Sequence, residues 1–324
     1  MIVELVAAFL ISLVVSFVVG RFLVPALRRI KAEQVIRSDG PIWHSKKQGT
    51  PTMGGILFIA GIFVSCFTVG LPELLKGDFT HIIILAFALI CAGIGFLDDY
   101  VKLKKKQNLG LTAKKKFALQ ILAAIGLIVI LKNLGYLSTE FYIPIFEIYF
   151  KLPDAAYYIF AVLVVVGIIN AVNITDGIDG LVSGVSIPVA LFFCVMAMIW
   201  SFTAFGVFAA ALTGGLAAFL FFNFYPAKVF MGDTGSLFLG GAISAMAFSL
   251  DMPLILLPLG IIFILETLSD IIQVTYFKIT KGKRVFKMAP LHHHLEMCGW
   301  SEYKIFTVFT IISAIFAFVS VLFI

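Results

Sequence analysis

Apolar runs close to twenty residues long recur from one end of this 324-residue chain to the other. A helix needs about 20 such residues to cross the hydrocarbon core of a bilayer. Ten runs stand out, at residues 2–27, 52–72, 80–98, 117–135, 156–173, 181–200, 202–222, 236–250, 253–277 and 305–324. Turn chemistry separates them: Leu71-Pro72-Glu73, Lys151-Leu152-Pro153-Asp154, Tyr225-Pro226 and Asp251-Met252-Pro253. A finer break at Trp200-Ser201 divides the sixth run from the seventh. Only 13% of the residues are charged, against about 25% in a soluble domain, and the mean hydropathy is +1.08. The expectation is an all-α polytopic membrane protein forming a single domain over residues 1–324.

The basic residues orient it. Of the twenty-four lysines and arginines, twenty fall in residues 28–50, 98–116, 223–235 and 277–304, which are alternate connections. The opposite connections hold only Lys76, Lys132 and Lys151, beside acids such as Glu73, Asp78, Glu140, Glu147 and Asp154. Basic loops stay in the cytoplasm, so both termini are expected outside, with the basic loops facing the cytoplasm. The first run reads as a span rather than a signal peptide, because Glu4 replaces a basic start, the run is long, and Arg28-Arg29 follow it. A net charge of +6 in short juxtamembrane blocks suits anionic lipid headgroups and argues against a nucleic-acid partner. Cys66, Cys91, Cys194 and Cys298 have neither paired nor metal-type spacing and read as reduced fillers.

Against this background the carboxylates stand out. Asp98-Asp99 close the third run, where a helix C-terminus disfavours negative charge; they either balance Lys102 and Lys104–Lys106 or serve a cation. In Asn173-Ile174-Thr175-Asp176-Gly177-Ile178-Asp179-Gly180-Leu181, an N-cap on the sixth run would occupy Asp179 alone and leave Asn173 and Asp176 free. Phe230-Met231-Gly232-Asp233-Thr234-Gly235-Ser236 offers Asp233 or Thr234 as a cap, or a Gly-rich anion site. Glu266, Asp270 and Gln273, at i, i+4 and i+7, share one face of the ninth run and should look into a cavity. His292, His293 and His294 are consecutive, a spacing that rarely converges on one ion. All five clusters map to the basic side, although that side was assigned from other residues.

Carboxylates of this kind suit Mg²⁺, which takes one or two of them, keeps waters and binds substrate phosphates. Asp98, Asp99 and Asp233 are the candidate donors, and Lys47, Lys102, Lys114, Lys115 and Lys116 the candidate phosphate-neutralising cations. The residues themselves point to metal-assisted phosphoryl transfer involving a membrane lipid. They do not specify a sugar.

The motifs Gly49-Thr50-Pro51-Thr52-Met53-Gly54-Gly55, Phe96-Leu97-Asp98-Asp99-Tyr100, Asn173–Leu181, Asn223–Ser236 and Met288-Ala289-Pro290-Leu291-His292-His293-His294-Leu295-Glu296 resemble the polyprenyl-phosphate N-acetylhexosamine-1-phosphate transferases along the whole chain. The histidine loop resembles the branch whose donor carries a muramoyl peptide. The resemblance implies ten spans and Mg²⁺-dependent transfer from UDP-N-acetylmuramoyl-pentapeptide to undecaprenyl phosphate, giving lipid I and UMP. It implies Asp98, Asp99 and Asp233 as catalytic acids, with Asp233 the metal ligand. Asn173, Asp176, Asp179, Asn223, Phe230, Gln273, His292, His293 and His294 would border the nucleotide, with Phe230 stacking on uracil, and the family implies a homodimer. Two alternatives stay open: a sister transferase using UDP-N-acetylglucosamine for another envelope glycan, and a cation-coupled transporter. The acids gather at one side and no inverted repeat is visible, which disfavours the transporter.

Overall fold

The computed structural model describes all residues except 31, 33–46, 106, 108, 144–147 and 323. Three of the basic residues used for orientation in the first loop, Lys31, Arg37 and Lys46, lie outside the described residues, as do Lys106 and Glu147.

Helix α1 (Ile2–Arg29) shows how the sequence divides lipid from protein. Val6, Leu10, Val14, Val18 and Phe22, every fourth residue, are exposed, whereas Ala8, Ser12, Ser16 and Gly20 are buried on the other side. In lipid, apolar side chains gain little by leaving the solvent, and small residues bring helices together instead. The small stripe receives α2 (Gly55–Thr68) and α8 (Thr203–Asn223), and Ser65 Oγ on α2 donates to the Ala8 carbonyl at 2.9 Å.

Seven of the described helices are long and apolar enough to cross a membrane: α1, α4 (Thr80–Lys105), α5 (Ala113–Asn133), α6 (Asp154–Thr175), α7 (Leu181–Trp200), α8 and α13 (Glu302–Leu322). The ninth run is broken. Its first part, ending in α10 (Leu256–Leu259), turns by 81° into α11 (Ile261–Ile279) across Gly260. The second run shrinks to the 14 residues of α2, about 21 Å of helix at 1.5 Å per residue; the short α3 (Leu71–Leu75) takes up its far end. Helix α9 (Gly232–Ser249) is central, buried from Thr234 to Ser249 and packed against α2, α4 and α6.

Two corrections to the expected elements follow. Asp98-Asp99 do not end their helix, because α4 continues to Lys105. Lys102, Lys104 and Lys105 complement its C-terminal dipole, and Lys102 pairs with Asp98 one turn back. The chain is also not purely helical. Between α5 and α6, β1 (Glu140–Ile143) pairs antiparallel with β2 (Ile148–Lys151). Phe141 stacks on Phe150 at 4.9 Å and meets Phe160 of α6 edge-on at 5.0 Å. Asp251, after α9, accepts from the Ser138 backbone at 3.0 Å and ties the hairpin to the bundle. These connections lie at one end of the bundle. At the other, residues 47–54, the C-terminal turns of α4, residues 176–180 and 224–231, and residues 280–301 with α12 (Leu291–Met297) form the polar end.

Candidate active site

Asp98 and Asp99 come from α4 and Asp233 from the first turn of α9, and their carboxylates offer oxygens that all lie within 4.8 Å of one another. Gly95 permits this approach: a Cβ there would collide with the backbone of Asp233. Lys102 Nζ sits among the three acids, 2.7 Å from Asp98, 3.0 Å from Asp233 and 3.9 Å from Asp99. Lys116, at the start of α5, reaches Asp233 at 2.7 Å. Asn173 Nδ2 donates to Asp233 Oδ1 at 2.9 Å and to Ser236 Oγ at 2.8 Å. Three acids against two ammonium groups leave the cluster net negative, and its donors are hard carboxylate oxygens, the set that Mg²⁺ accepts. The donor chemistry therefore fits the ion.

The two neighbouring acids differ in their surroundings. Asp99 accepts from the backbone N–H of Asp233 at 3.1 Å and of Thr234 at 2.9 Å, and from Thr234 Oγ1 at 2.7 Å. It thus caps α9 from another helix. The expected cap by Asp233 or Thr234 is corrected accordingly: both lie inside the first turn, which begins after Met231 and makes no cap of its own. Gly232, at φ +72°, has no room for a side chain, since a Cβ would stand 2.7 Å from Asp99 Oδ2 and from Thr52 Oγ1. Asp98 accepts from the Leu111 N–H at 2.8 Å, against the open α-carbon of Gly110.

Phe230 is half-buried, and its backbone joins the two glycine motifs: it donates to the Pro51 carbonyl and accepts from Gly54, both at 2.8 Å. Lys47 Nζ bonds Asp179 at 2.7 Å and Glu302 at 2.6 Å. Asp179 also accepts from the Ala227 N–H at 2.8 Å, so it is not the cap of α7; that position is Gly180, at φ +77°. The Gly180 N–H is bound instead by Asn223 Oδ1 at 3.0 Å. Burial alone would lower the Lys47 pKa, but Asp179 and Glu302 outweigh it and hold the ammonium above its ordinary value. Asp176 lies between this lock and the carboxylate cluster. Burial of its carboxyl, then the charges of Asp233, Asp99 and Asp179, push it well above the usual carboxylate range.

The third part is the histidine loop. Gln273 on α11 accepts from Val285 and Phe286 N–H, both at 3.0 Å, and donates to the Phe286 carbonyl at 3.0 Å, pinning the bent segment before α12. Asp270 and Gln273 line a pocket of about 360 Å³ with Lys278, Arg284, Met288 and Ala289. The histidine rings have separate partners: His292 Nδ1 lies 2.9 Å from Glu266, His293 Nδ1 lies 2.7 Å from Glu296, and His294 Nδ1 accepts from Lys287 N–H at 3.1 Å.

Lys114 remains exposed on the first turn of α5 and makes no ion pair among the described residues. Sequence reasoning gave too little weight to Lys102, whose i, i+4 relation to Asp98 was a usable signal. Glu302 and the Leu111 N–H had none, since each acts through a partner on another element.

The glycosyl transferase family 4 profile matches residues 81–251, and phospho-N-acetylmuramoyl-pentapeptide-transferase signature 1 matches residues 47–59. A phospho-N-acetylmuramoyl-pentapeptide-transferase of Caldanaerobacter subterraneus subsp. tengcongensis is 46% identical over 324 residues, covering 99% of this chain and 98% of its own. The enzyme of that name from Clostridium acetobutylicum is 43% identical, with 97% and 96% covered. That from Staphylococcus saprophyticus is 46% identical, with 93% of each covered.

Proposed function

The chain belongs to the phospho-N-acetylmuramoyl-pentapeptide-transferase group of glycosyl transferase family 4, and from that premise we propose that it moves phospho-N-acetylmuramoyl-pentapeptide from its UDP donor to undecaprenyl phosphate, yielding lipid I and UMP. The observation that carries this reading is the Asp98, Asp99 and Asp233 cluster with Lys102 and Lys116 inside it. A single-domain membrane enzyme with its acids at one bundle end suits a lipid-borne acceptor and a water-borne donor. On this reading α2, α9 and the bent α10–α11 pair join the seven long helices to make ten spans with both termini outside, the polar end faces the cytoplasm, and the enzyme works as a homodimer in the bacterial inner membrane.

Asp233, supported by Asp98 and Asp99, would hold Mg²⁺, which supplies charge neutralisation of the donor's diphosphate. An oxygen of the lipid phosphate attacks the donor's β-phosphorus. The bond from that phosphorus to the bridging oxygen breaks, and UMP leaves with the electron pair. Lys116 and Lys102 balance charge on the phosphates, and Asn173 keeps the Asp233 carboxylate oriented. Asp176, Asp179, Asn223, Phe230, Gln273 and the histidine loop border the nucleotide, with Phe230 against uracil and Lys47 holding Asp179. Lys114 meets phosphate from the rim. Catalysis of this type is mainly positioning and electrostatics.

The test is to incubate the purified protein with Mg²⁺, undecaprenyl phosphate and either UDP-N-acetylmuramoyl-pentapeptide or UDP-N-acetylglucosamine, and to identify products by mass spectrometry. The expected result is lipid I and UMP from the first donor only. Product from the acetylglucosamine donor alone would replace this reading with a sister transferase.

A further inference from the structure

Glu266 lies within apolar α11 and is fully buried. A carboxylate in that position must be hydrogen-bonded to be tolerated, and among the described residues His292 alone bonds it. His292 directs its backbone N–H at both carboxylate oxygens, at 3.2 and 3.3 Å, and its Nδ1 lies 2.9 Å from Oε2. If the carboxylate is ionised it only accepts, and Nδ1 then carries the hydrogen, which sets the tautomer. The ring is 1% exposed, and its other nitrogen, Nε2, has no partner among the described residues.

That nitrogen faces Gly177. A Cβ on Gly177 would fall 2.6 Å from His292 Cε1 and closer still to Nε2. The ring therefore lies directly under the turn that follows α6, where Asp176 and, two residues on, Asp179 are held. Residues 177, 266 and 292, distant in sequence, form one stack: carboxylate, imidazole, turn.

We propose that Glu266 is a positioning residue: it fixes the His292 ring as a strut under the Asp176–Gly177 turn, and so sets the wall of the site that receives the UDP donor. This rests on the transferase reading above, and deepens it by assigning donor recognition to a group that does not touch the donor. Glu266 acts through His292, and His292 through the turn. The lipid phosphate, which meets the Asp98 side of the cluster, should be indifferent to it.

The experiment compares Glu266→Ala, Glu266→Gln and Gly177→Ala with the wild type, measuring UMP release at varied donor and varied undecaprenyl phosphate. Loss of the strut should raise KM for the donor about ten-fold, the scale of one hydrogen bond to a charged group, while KM for the lipid stays within about two-fold. Glutamine keeps an acceptor for Nδ1–H and should restore donor KM to within about three-fold of wild type. Gly177→Ala, which disturbs the ring from the other side, should reproduce the alanine phenotype. The proposal is overturned if Glu266→Gln is as impaired as Glu266→Ala, if both KM values rise together, or if donor KM does not change. Nitrogen-15 spectra of histidine-labelled protein, with His292 assigned from a His292→Asn sample, should display the Nδ1–H tautomer, lost in Glu266→Ala; an Nε2–H tautomer in the wild type would also overturn it. That spectrum needs no turnover. A wild type that released no UMP would refute the transferase reading while the spectrum still judged the stack.

Discussion

Asp99 and Thr234 are joined twice, through the Thr234 backbone N–H at 2.9 Å and its hydroxyl at 2.7 Å. A residue buried in α4 thereby supplies the first turn of α9 with the cap its own sequence lacks. Removing an N-cap costs about 0.5–2 kcal/mol. Asp99→Ala should therefore lower both the thermal midpoint in detergent and turnover. Asp98→Asn keeps an acceptor for the Leu111 N–H and should lower turnover while leaving the midpoint near wild type. Equal thermal losses in the two variants would show that Asp99 has no special part in holding α9.

Asp233 binds Lys116, Lys102 and Asn173 at once. Asp233→Asn should insert and fold, because asparagine preserves the shape and one acceptor. It should also abolish UMP release at every Mg²⁺ concentration, since the ligand charge is lost. The check is a Mg²⁺ titration of product formation beside a size-exclusion profile. Turnover with normal Mg²⁺ dependence would remove Asp233 from the centre of the mechanism.

The three histidines turn to three partners, Glu266, Glu296 and the Lys287 backbone. Single alanine variants should therefore slow turnover or raise the donor requirement without changing the metal content. Elemental analysis of the purified variants decides it: a stoichiometric zinc or nickel ion that disappears on mutation would mean the rings converge after all.

Lys47 holds Asp179 and Glu302, side chains only 2% and 8% exposed. Stripping a buried pair of its cation costs about 3–5 kcal/mol, so Lys47→Met should be markedly less stable, and adding Glu302→Gln should recover part of the loss. Because the folded pKa of Lys47 is raised, its contribution is complete below the unfolded value of about 10.4 and is lost as pH rises through the folded value. The stability gap between wild type and Lys47→Met should stay constant from roughly pH 7 to 9 and close only above roughly pH 10.5. Closure near neutrality would contradict the lock.

The membrane architecture was legible because lipid imposes a simple code. The stripes of α1, Val6 to Phe22 outward and Ala8 to Gly20 inward, follow from helical period and residue size alone. The Trp200-Ser201 break fell where expected, Ser201 ending α7 in the left-handed region. What the sequence concealed depends on distant partners. The extension of α4 beyond Asp99 rests on Lys102 meeting three acids, one of them 131 residues away. The Asp99 cap and the Glu302–Lys47 bond likewise have no local signature. The hairpin was missed because its aromatic alternation, Phe141 against Phe150, is short beside the apolar runs that flank it. In the site, the partners that residue types alone do not reveal are backbone groups and a lysine: Asp179 holds the Ala227 N–H and Lys47, Asn223 holds the Gly180 N–H, and Lys114 stays exposed.

Whether the lipid phosphate attacks directly or an aspartate attacks first turns on which carboxylate oxygen is free. A covalent route needs Asp98 or Asp99 to present an oxygen to the donor's β-phosphorus. Asp99 is 2% exposed and both of its oxygens accept from the start of α9. Asp98 is 3% exposed, with one oxygen on the Leu111 N–H and the other on Lys102. Using either as a nucleophile would draw on oxygens already engaged in holding α9 or the turn before α5. The lipid phosphate needs no such help, because its second pKa near ~6 leaves it largely dianionic at neutral pH. Direct attack is therefore expected, with Asp98 orienting the lipid head through Lys102. Enzyme stripped of endogenous lipid, mixed with Mg²⁺ and donor alone, should release no burst of UMP, and adding undecaprenyl phosphate should start release at once. A burst equal to the enzyme concentration, with a sugar phosphate recovered on a peptide containing Asp98 or Asp99, would establish the covalent route instead.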